Sequence, residues 1–131
     1  MKNRNEYASQ VTDTYDLSRI IYVNKNQFKN WGIGDIYNNY ENAESWSSGN
    51  EENEFCTENK LYNEVKVVLI ASKIPAHKVD YNNKNEVKDL TAVESEDEYL
   101  VSSDTKLKIK YISSDDDYLE MKYYIVELEL A

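Results

Sequence analysis

The stretch Glu94-Ser95-Glu96-Asp97-Glu98-Tyr99-Leu100-Val101 sets an acidic cluster against the mouth of an apolar strand. Four acids in five positions repel one another and gain nothing by packing, so they are an odd way to begin a β-strand. Most charge runs are solvated loops. The immediate junction with Tyr99-Leu100-Val101 weighs against that here, and the run makes sense if one carboxylate sits at a positively charged centre.

Downstream, Thr105-Lys106-Leu107-Lys108-Ile109-Lys110-Tyr111 alternates lysine with apolar residues, the pattern of a half-exposed antiparallel strand. Residues 122–130 alternate again, with Tyr124, Val126, Leu128 and Leu130 on one face. Between these two strands, residues 113–117 read as a solvated loop at a hairpin end.

Upstream, Glu64-Val65-Lys66-Val67-Val68-Leu69-Ile70-Ala71-Ser72 is the best buried strand in the chain. Pro75 is expected to end it, because proline has no amide to donate to a ladder. Leu17-Ser18-Arg19-Ile20-Ile21-Tyr22-Val23 reads as another strand, preceded by a short helix over residues 5–13. Trp31-Gly32-Ile33-Gly34-Asp35 marks a turn before a short extended segment over 36–40. Ser48-Gly49-Asn50-Glu51 fits a capping box, which predicts a helix over 50–59 with Phe55 turned inward. Residues 81–89 read as a polar loop containing at most a helical turn, and 98–101 as a short strand. The expected fold is α+β and β-rich: a mostly antiparallel, two-sheet core with one or two short helices.

Composition narrows the function classes. A chain of 131 residues is expected to form one domain, residues 1–131. The single Cys56 excludes an internal disulfide and a cysteine-based zinc site, and a reducing compartment fits it best. A net charge of −10 repels phosphate backbones and anionic lipid, so neither direct nucleic-acid binding nor membrane association is expected. It leaves open a basic protein partner, or a protein that imitates a nucleic acid. No apolar run is long enough to cross a bilayer, and Met1-Lys2-Asn3-Arg4-Asn5-Glu6 does not open a signal peptide, so cytoplasmic action is expected. Twelve tyrosines against two phenylalanines accord with amphipathic strands.

Two further pieces carry chemistry. The chain has two arginines against thirteen lysines, and Arg4 lies in a terminus expected to be mobile. Arg19 stands in a strand of Ile, Tyr and Val, a costly place unless it meets an anion. Its planar fork suits a phosphate or carboxylate, and a structural ion pair with one of the twenty-five acids is the plain alternative. Ser45-Trp46-Ser47 can present two hydroxyls on one side of an extended strand while the ring is buried on the other. Taken alone, that segment reads more readily as a strand end with a buried tryptophan and a serine-rich loop.

Order and spacing join the pieces. An Arg in the first strand is followed by Ser-x-Ser before a short helix with Phe55. A buried strand then closes in Ile74-Pro75, and Glu96-x-Glu98 enters a strand. This succession resembles the ADP-ribosyltransferase family, and within it the arginine–serine–glutamate branch to which clostridial-type toxins and several phage-encoded transferases belong. The tail resembles the family too, with Thr105-Lys106-Leu107-Lys108-Ile109 and a last apolar strand ending at Leu130. The resemblance spans residues 17–130. It departs from the usual pattern at Trp46, where threonine is common, and in the little chain that precedes Arg19.

The resemblance implies a minimal mono-ADP-ribosyltransferase core of phage or effector type, using NAD as co-substrate and modifying a basic target protein. Arg19 would bind the NAD phosphate or ribose. Ser45 would orient the catalytic glutamate, and Ser47 would support the nicotinamide side, with Trp46 as packing. Glu98 would be the catalytic residue on the nicotinamide ribose 2′-hydroxyl. Glu96 would act as general base on the acceptor, a position that the branch associates with arginine acceptors. A register shifted by two would make the pair Glu94 and Glu96. Tyr22, Trp31 or Tyr37 would stack on nicotinamide. The alternative of a different class is a non-catalytic acidic inhibitor, or nucleic-acid mimic, that occludes a basic partner.

His77 reads as a solvent-facing loop residue after Pro75. Asp115-Asp116-Asp117 lacks the glycine turn and distal Glu of a calcium loop, and no metal site is expected. Gly32-x-Gly34 lacks the third glycine of a phosphate-binding fingerprint.

Overall fold

The computed structural model describes residues 3–37, 43–48, 63–90 and 97–131. The helix expected over 50–59 with Phe55, and the acids Glu94 and Glu96, lie outside the described residues. In chain order the elements begin with α1 (Arg4–Ala8), β1 (Asp13–Asn24), α2 (Lys25–Phe28), β2 (Ile36–Tyr37) and β3 (Glu44–Trp46). There follow β4 (Glu64–Lys78), α3 (Lys84–Asp89), β5 (Tyr99–Val101), β6 (Leu107–Ile112), α4 (Asp115–Met121) and β7 (Tyr124–Leu130).

β4 is the organising strand. Val65, Val67, Val68, Leu69 and Ala71 are all buried, so both of its faces are covered. β1 flanks it antiparallel from Leu17↔Ala71 to Asn24↔Glu64, and β7 flanks it in parallel from Val67↔Tyr124 to Ala71↔Leu128. The remaining described pairings are antiparallel: β6 with β7, β2 with β6, β5 with β4, and β3 with β5. The mostly antiparallel expectation is therefore corrected at one pair, which makes the larger ladder mixed. β4 also belongs to both ladders, so six strands form one path with order β2-β6-β7-β4-β5-β3, and β1 joins β4 off that path.

Pro75 does not end this strand. β4 runs on to Lys78, and Pro75 pairs with Thr14 of β1. Over residues 72–76 the only described partner of β4 is β1, so Pro75 occupies a one-sided stretch where a missing amide is tolerated. The strand is also bent there. Between Tyr15↔Ile74 and Leu17↔Ala71 the ladder slips, leaving Ser72 and Lys73 opposite the single residue Asp16. Lys73 takes the left-handed conformation, with φ of 54°, and its amide donates to the Asp16 carboxylate at 3.0 Å. A bulge of this kind bends a strand and strengthens its twist. The first part of β4 thus pairs with β7, and its last two residues, His77 and Lys78, pair with β5.

Four short helices are described, where one or two were expected. Each is 4–7 residues long, too short to show an apolar period, yet each has an Asn or Ser cap. Asn3 accepts from the Glu6 amide, Asn24 from Asn26, Asn83 from Asn85, and Ser114 from Asp117. The segment expected as a solvated hairpin end is the start of α4. Asp115, Asp116 and Asp117 fill its first turn, where negative charge complements the unpaired amides.

Packing separates two apolar clusters. The larger contains Leu17, Trp46, Leu69, Tyr99, Val101 and Val126. The smaller holds Tyr7 and Ala8 of α1 against Ala43, Val79, Leu90 and Leu100. Since Tyr99 and Val101 enter the first and Leu100 the second, β5 is covered on both faces, with α1 and Leu90, just after α3, in the second cluster. On β7, Val126 and Leu128 are buried as the alternation predicts, but Leu130 at the strand end is exposed.

Candidate functional site

The site is built where β3 meets β5 and β1. The antiparallel register sets Ser45 opposite Leu100 and Trp46 opposite Tyr99. Glu98 is two residues before Leu100, so it is a diagonal neighbour of Ser45 on the same face. The Ser45 hydroxyl donates to Glu98 Oε2 at 2.7 Å. Trp46 points the other way and is 2 % exposed in the larger core, as period-two alternation requires. Glu98 is itself buried, at 8 % exposure, and its carbonyl accepts from the Val79 amide at 3.0 Å. The residue after β4 therefore fixes its main chain while Ser45 fixes its carboxylate.

β1 closes the arrangement. Ser18 and Ser47 exchange backbone hydrogen bonds of 2.7 and 2.9 Å, an isolated antiparallel bridge from β1 to the residue after β3. With β1 on β4, β4 on β5 and β5 on β3, this bridge completes a circuit of strands. Arg19, next to Ser18, is thereby brought to β3. Its Nη1 donates to the Ser45 carbonyl at 2.5 Å, and its Nε lies 3.4 Å from Glu44 Oε2. Arg19, Ser45, Ser47 and Glu98 thus fall at one junction, with 31 % of the Arg19 side chain still exposed. Both sequence-level readings of Arg19 have a physical counterpart: it has a structural carboxylate partner, and it keeps accessible guanidinium surface.

Several residues at this junction were not singled out in the sequence. Glu44 accepts from the Tyr37 hydroxyl at 2.6 Å as well as pairing with Arg19. Burial first, and then this hydrogen bond to Glu44, hold the Tyr37 phenol well above the ordinary tyrosine range. Of the three rings proposed to stack on nicotinamide, Tyr37 is the one tied to Arg19's partner; Trp31 packs between Phe28 and Tyr37. Asp97, between Glu96 and Glu98 in sequence, accepts from both the amide and the hydroxyl of Ser48 at 3.0 and 2.7 Å. With twenty-five acids available, nothing in the order of residues could select Glu44 as the partner of Arg19.

Arg4 is the largest departure. Instead of lying in a mobile terminus it sits in α1, and its Nη2 is 3.2 Å from Glu98 Oε2. The same oxygen therefore takes hydrogen bonds from Ser45 and Arg4. α1 packs on the face of β5 that carries Leu100, which is also the face of Ser45 and Glu98.

His77 is corrected as well. It is buried on β4 and not in a solvent-facing loop. Its Nδ1 meets the Gln10 carbonyl at 2.8 Å and its Nε2 meets the buried Glu86 carboxylate of α3. That pair joins α3 and the segment after α1 to the end of β4. Two cavities lie away from the Arg19–Ser45–Glu98 junction. One, of about 610 Å³, is walled by Phe28, Trp31, Tyr118 and Tyr124 with Lys25 and Lys29 at its edge. The other, of about 520 Å³, lies between α1 and α3 beside Tyr7, Glu86 and Asp89.

No protein-family model matches the sequence, and no curated protein matches it. Solved structures do. The ADP-ribosyltransferase Vis in complex with the M6 inhibitor is similar over 90 % of this chain and 49 % of its own, with a TM-score of 0.62 and 14 % identity. The Vis complex with agmatine has a TM-score of 0.61 at the same identity and coverage. The Vis toxin, described as an ADP-ribosyltransferase from Vibrio splendidus, has a TM-score of 0.60, 14 % identity and coverage of 90 % and 48 %. The chain spans about half the length of the solved structures it matches. This likeness shows an ADP-ribosyltransferase-like fold.

Proposed function

We propose that the chain is a mono-ADP-ribosyltransferase that moves ADP-ribose from NAD to a side chain of a basic protein in the cytoplasm. The observation that carries this reading is the buried Glu98 carboxylate held at 2.7 Å by Ser45, with Arg19 on the carbonyl of that same serine. The donor set suits NAD: an arginine with exposed guanidinium surface for a phosphate or ribose, two strand-end serines, and a fixed carboxylate for a ribose hydroxyl.

When bound, NAD supplies a ribose C1′ that becomes electron-poor as nicotinamide departs. Glu98 accepts the 2′-hydroxyl of that ribose and sets a fixed negative charge beside C1′. Charge placed in advance where opposite charge develops is the strongest device available to such a site. Ser45 keeps the carboxylate turned toward the ribose, so no reorganisation is needed at the moment of bond breaking. Arg19 binds the phosphate or ribose, itself braced by Glu44. Ser47 supports the nicotinamide side. Glu96 takes the proton of the acceptor. The Vis complex with agmatine, a small guanidino compound, favours a guanidinium acceptor. The family order of residues also favours the arginine–serine–glutamate branch and a phage or effector setting.

The test uses labelled NAD with agmatine or a cell lysate, and compares wild type with Glu98→Gln and Arg19→Ala. Label transfer and nicotinamide release by wild type are expected, with losses of about 10²–10³-fold in Glu98→Gln. Absence of nicotinamide release by wild type with either acceptor, together with tight binding to a basic protein, would instead make the chain an acidic inhibitor.

A further inference from the structure

We infer that Arg4 is a built-in acceptor: the chain ADP-ribosylates its own Arg4 in an intramolecular reaction at Glu98. The inference rests on the transferase reading above and concerns the same site. Its observation is the 3.2 Å contact between Arg4 Nη2 and Glu98 Oε2, the oxygen to which Ser45 donates.

α1 is held in place by more than this ion pair. Tyr7 and Ala8 are buried in the smaller cluster, and the Tyr7 hydroxyl donates to Asp89 at 2.8 Å. Asn5 accepts from the Ala43 amide at 2.7 Å, one residue from β3. The Arg4 backbone is therefore fixed beside the site while its side chain is 39 % exposed. An ion pair that is partly in water contributes little, about 0–1 kcal/mol. The ribose hydroxyl can take its place on Glu98, and the displaced guanidinium stays leashed to α1 beside the site.

Only two arginines are present, and the other, Arg19, is engaged by the Ser45 carbonyl and Glu44. A tethered nucleophile gains by proximity, since its translational and rotational freedom is already restricted. The step balances without another reactant. A guanidinium nitrogen of Arg4 forms the bond to C1′, and the bond from C1′ to nicotinamide breaks. Its electron pair stays with the ring nitrogen, so nicotinamide leaves neutral. One proton passes from the attacking guanidinium to the Glu96 carboxylate and from there to water, and the modified guanidinium remains cationic.

The test incubates the full chain with NAD alone and reads intact mass and fragment masses, beside Arg4→Lys and Glu98→Gln, with transfer to agmatine as a parallel readout. One ADP-ribose on Arg4 is expected, with a first-order rate constant independent of protein concentration. Arg4→Lys should lose that adduct yet still modify agmatine, and Glu98→Gln should lose both. Wild type that modifies agmatine but leaves Arg4 bare overturns the inference while the transferase reading stands. So does an Arg4 adduct whose rate constant scales with protein concentration, or one that persists in Glu98→Gln. Wild type that turns over no NAD in either assay overturns both.

Discussion

Replacing Ser45 by alanine probes the contact on which the site depends. The hydroxyl sits 2.7 Å from a carboxylate oxygen of Glu98, whose residue is 8 % exposed. A hydrogen bond to a charged acceptor contributes about 1.5–3 kcal/mol, and a buried acceptor that loses it also keeps its desolvation cost. Arg4 remains on the same oxygen, but as a half-exposed partner it compensates for at most ~1 kcal/mol. Ser45→Ala is therefore expected to lower stability by about 1.5–3 kcal/mol. In a Glu98→Ala background the serine has lost its acceptor, and the same substitution should cost only a few tenths. The coupling energy is then about 1–3 kcal/mol, well above the ~0.5 kcal/mol scatter of independent sites. Urea unfolding followed by tryptophan fluorescence measures it, since the adjacent Trp46 is buried and becomes exposed on unfolding. For NAD turnover, a loosened carboxylate should lower kcat about 10–100-fold, the equivalent of ~1.4–2.8 kcal/mol, with little change in KM. Additive stabilities, or a kcat within twofold of wild type, would refute the reasoning.

Three further outcomes are expected. Glu86→Ala leaves the buried His77 Nε2 without its hydrogen-bond partner and should cost about 1–3 kcal/mol, read as a drop in urea midpoint. Lys73→Gly removes the side chain from a left-handed position at φ 54°; the ~1–2 kcal/mol relieved exceeds the ~0.5–1 kcal/mol entropy cost of glycine, so a slight rise in midpoint is expected. Tyr124 is pushed up to about 12, by burial first and then by its hydrogen bond to Asp115. Its neutral form is favoured in the folded chain, so its contribution is complete below the ordinary value of 10 and is lost as pH rises toward 12. Wild type should therefore lose stability relative to Tyr124→Phe across that window, measured by urea unfolding at stepped pH.

The strands that carry the fold announce themselves because alternation is a local property. Leu107 and Ile109 alternate with lysines, Val126 and Leu128 with polar neighbours, and the unbroken apolar run of β4 marks a strand covered on both faces. Pro75 misled because whether a strand tolerates proline depends on which neighbours flank it, and that is settled only by the tertiary arrangement. The short helices escaped a reading based on period, although Asn24, Asn83 and Ser114 are cap residues and could have been read as starts. His77 and Glu86 are nine residues apart, and only the docking of α3 makes them a buried pair. At the candidate site, Arg19, Ser45 and Glu98 could be named from residue type and order. Glu44 and Arg4 could not, because an ion-pair partner is selected by proximity and the chain offers many acids.

The bulge at Lys73 links the fold to this junction. If β4 ran straight, its C-terminal half would stay alongside β7, and β5 would have no edge to join. The bend frees His77 and Lys78 to pair with Leu100 and Tyr99, and the β5 register then sets Glu98 diagonal to Ser45. The Ser18–Ser47 bridge brings Arg19 to the same place from the other side. The carboxylate is thus located by strand junctions paired through main-chain hydrogen bonds, with side chains joining them at the bulge (Asp16) and at the Ser45 carbonyl (Arg19). Main-chain bonds constrain side-chain identity only through pattern and burial. That is how a chain can share a fold over 90 % of its length at 14 % identity. In such a framework most positions are free to change, and the residues that must answer to chemistry are the few whose side chains meet across the junctions.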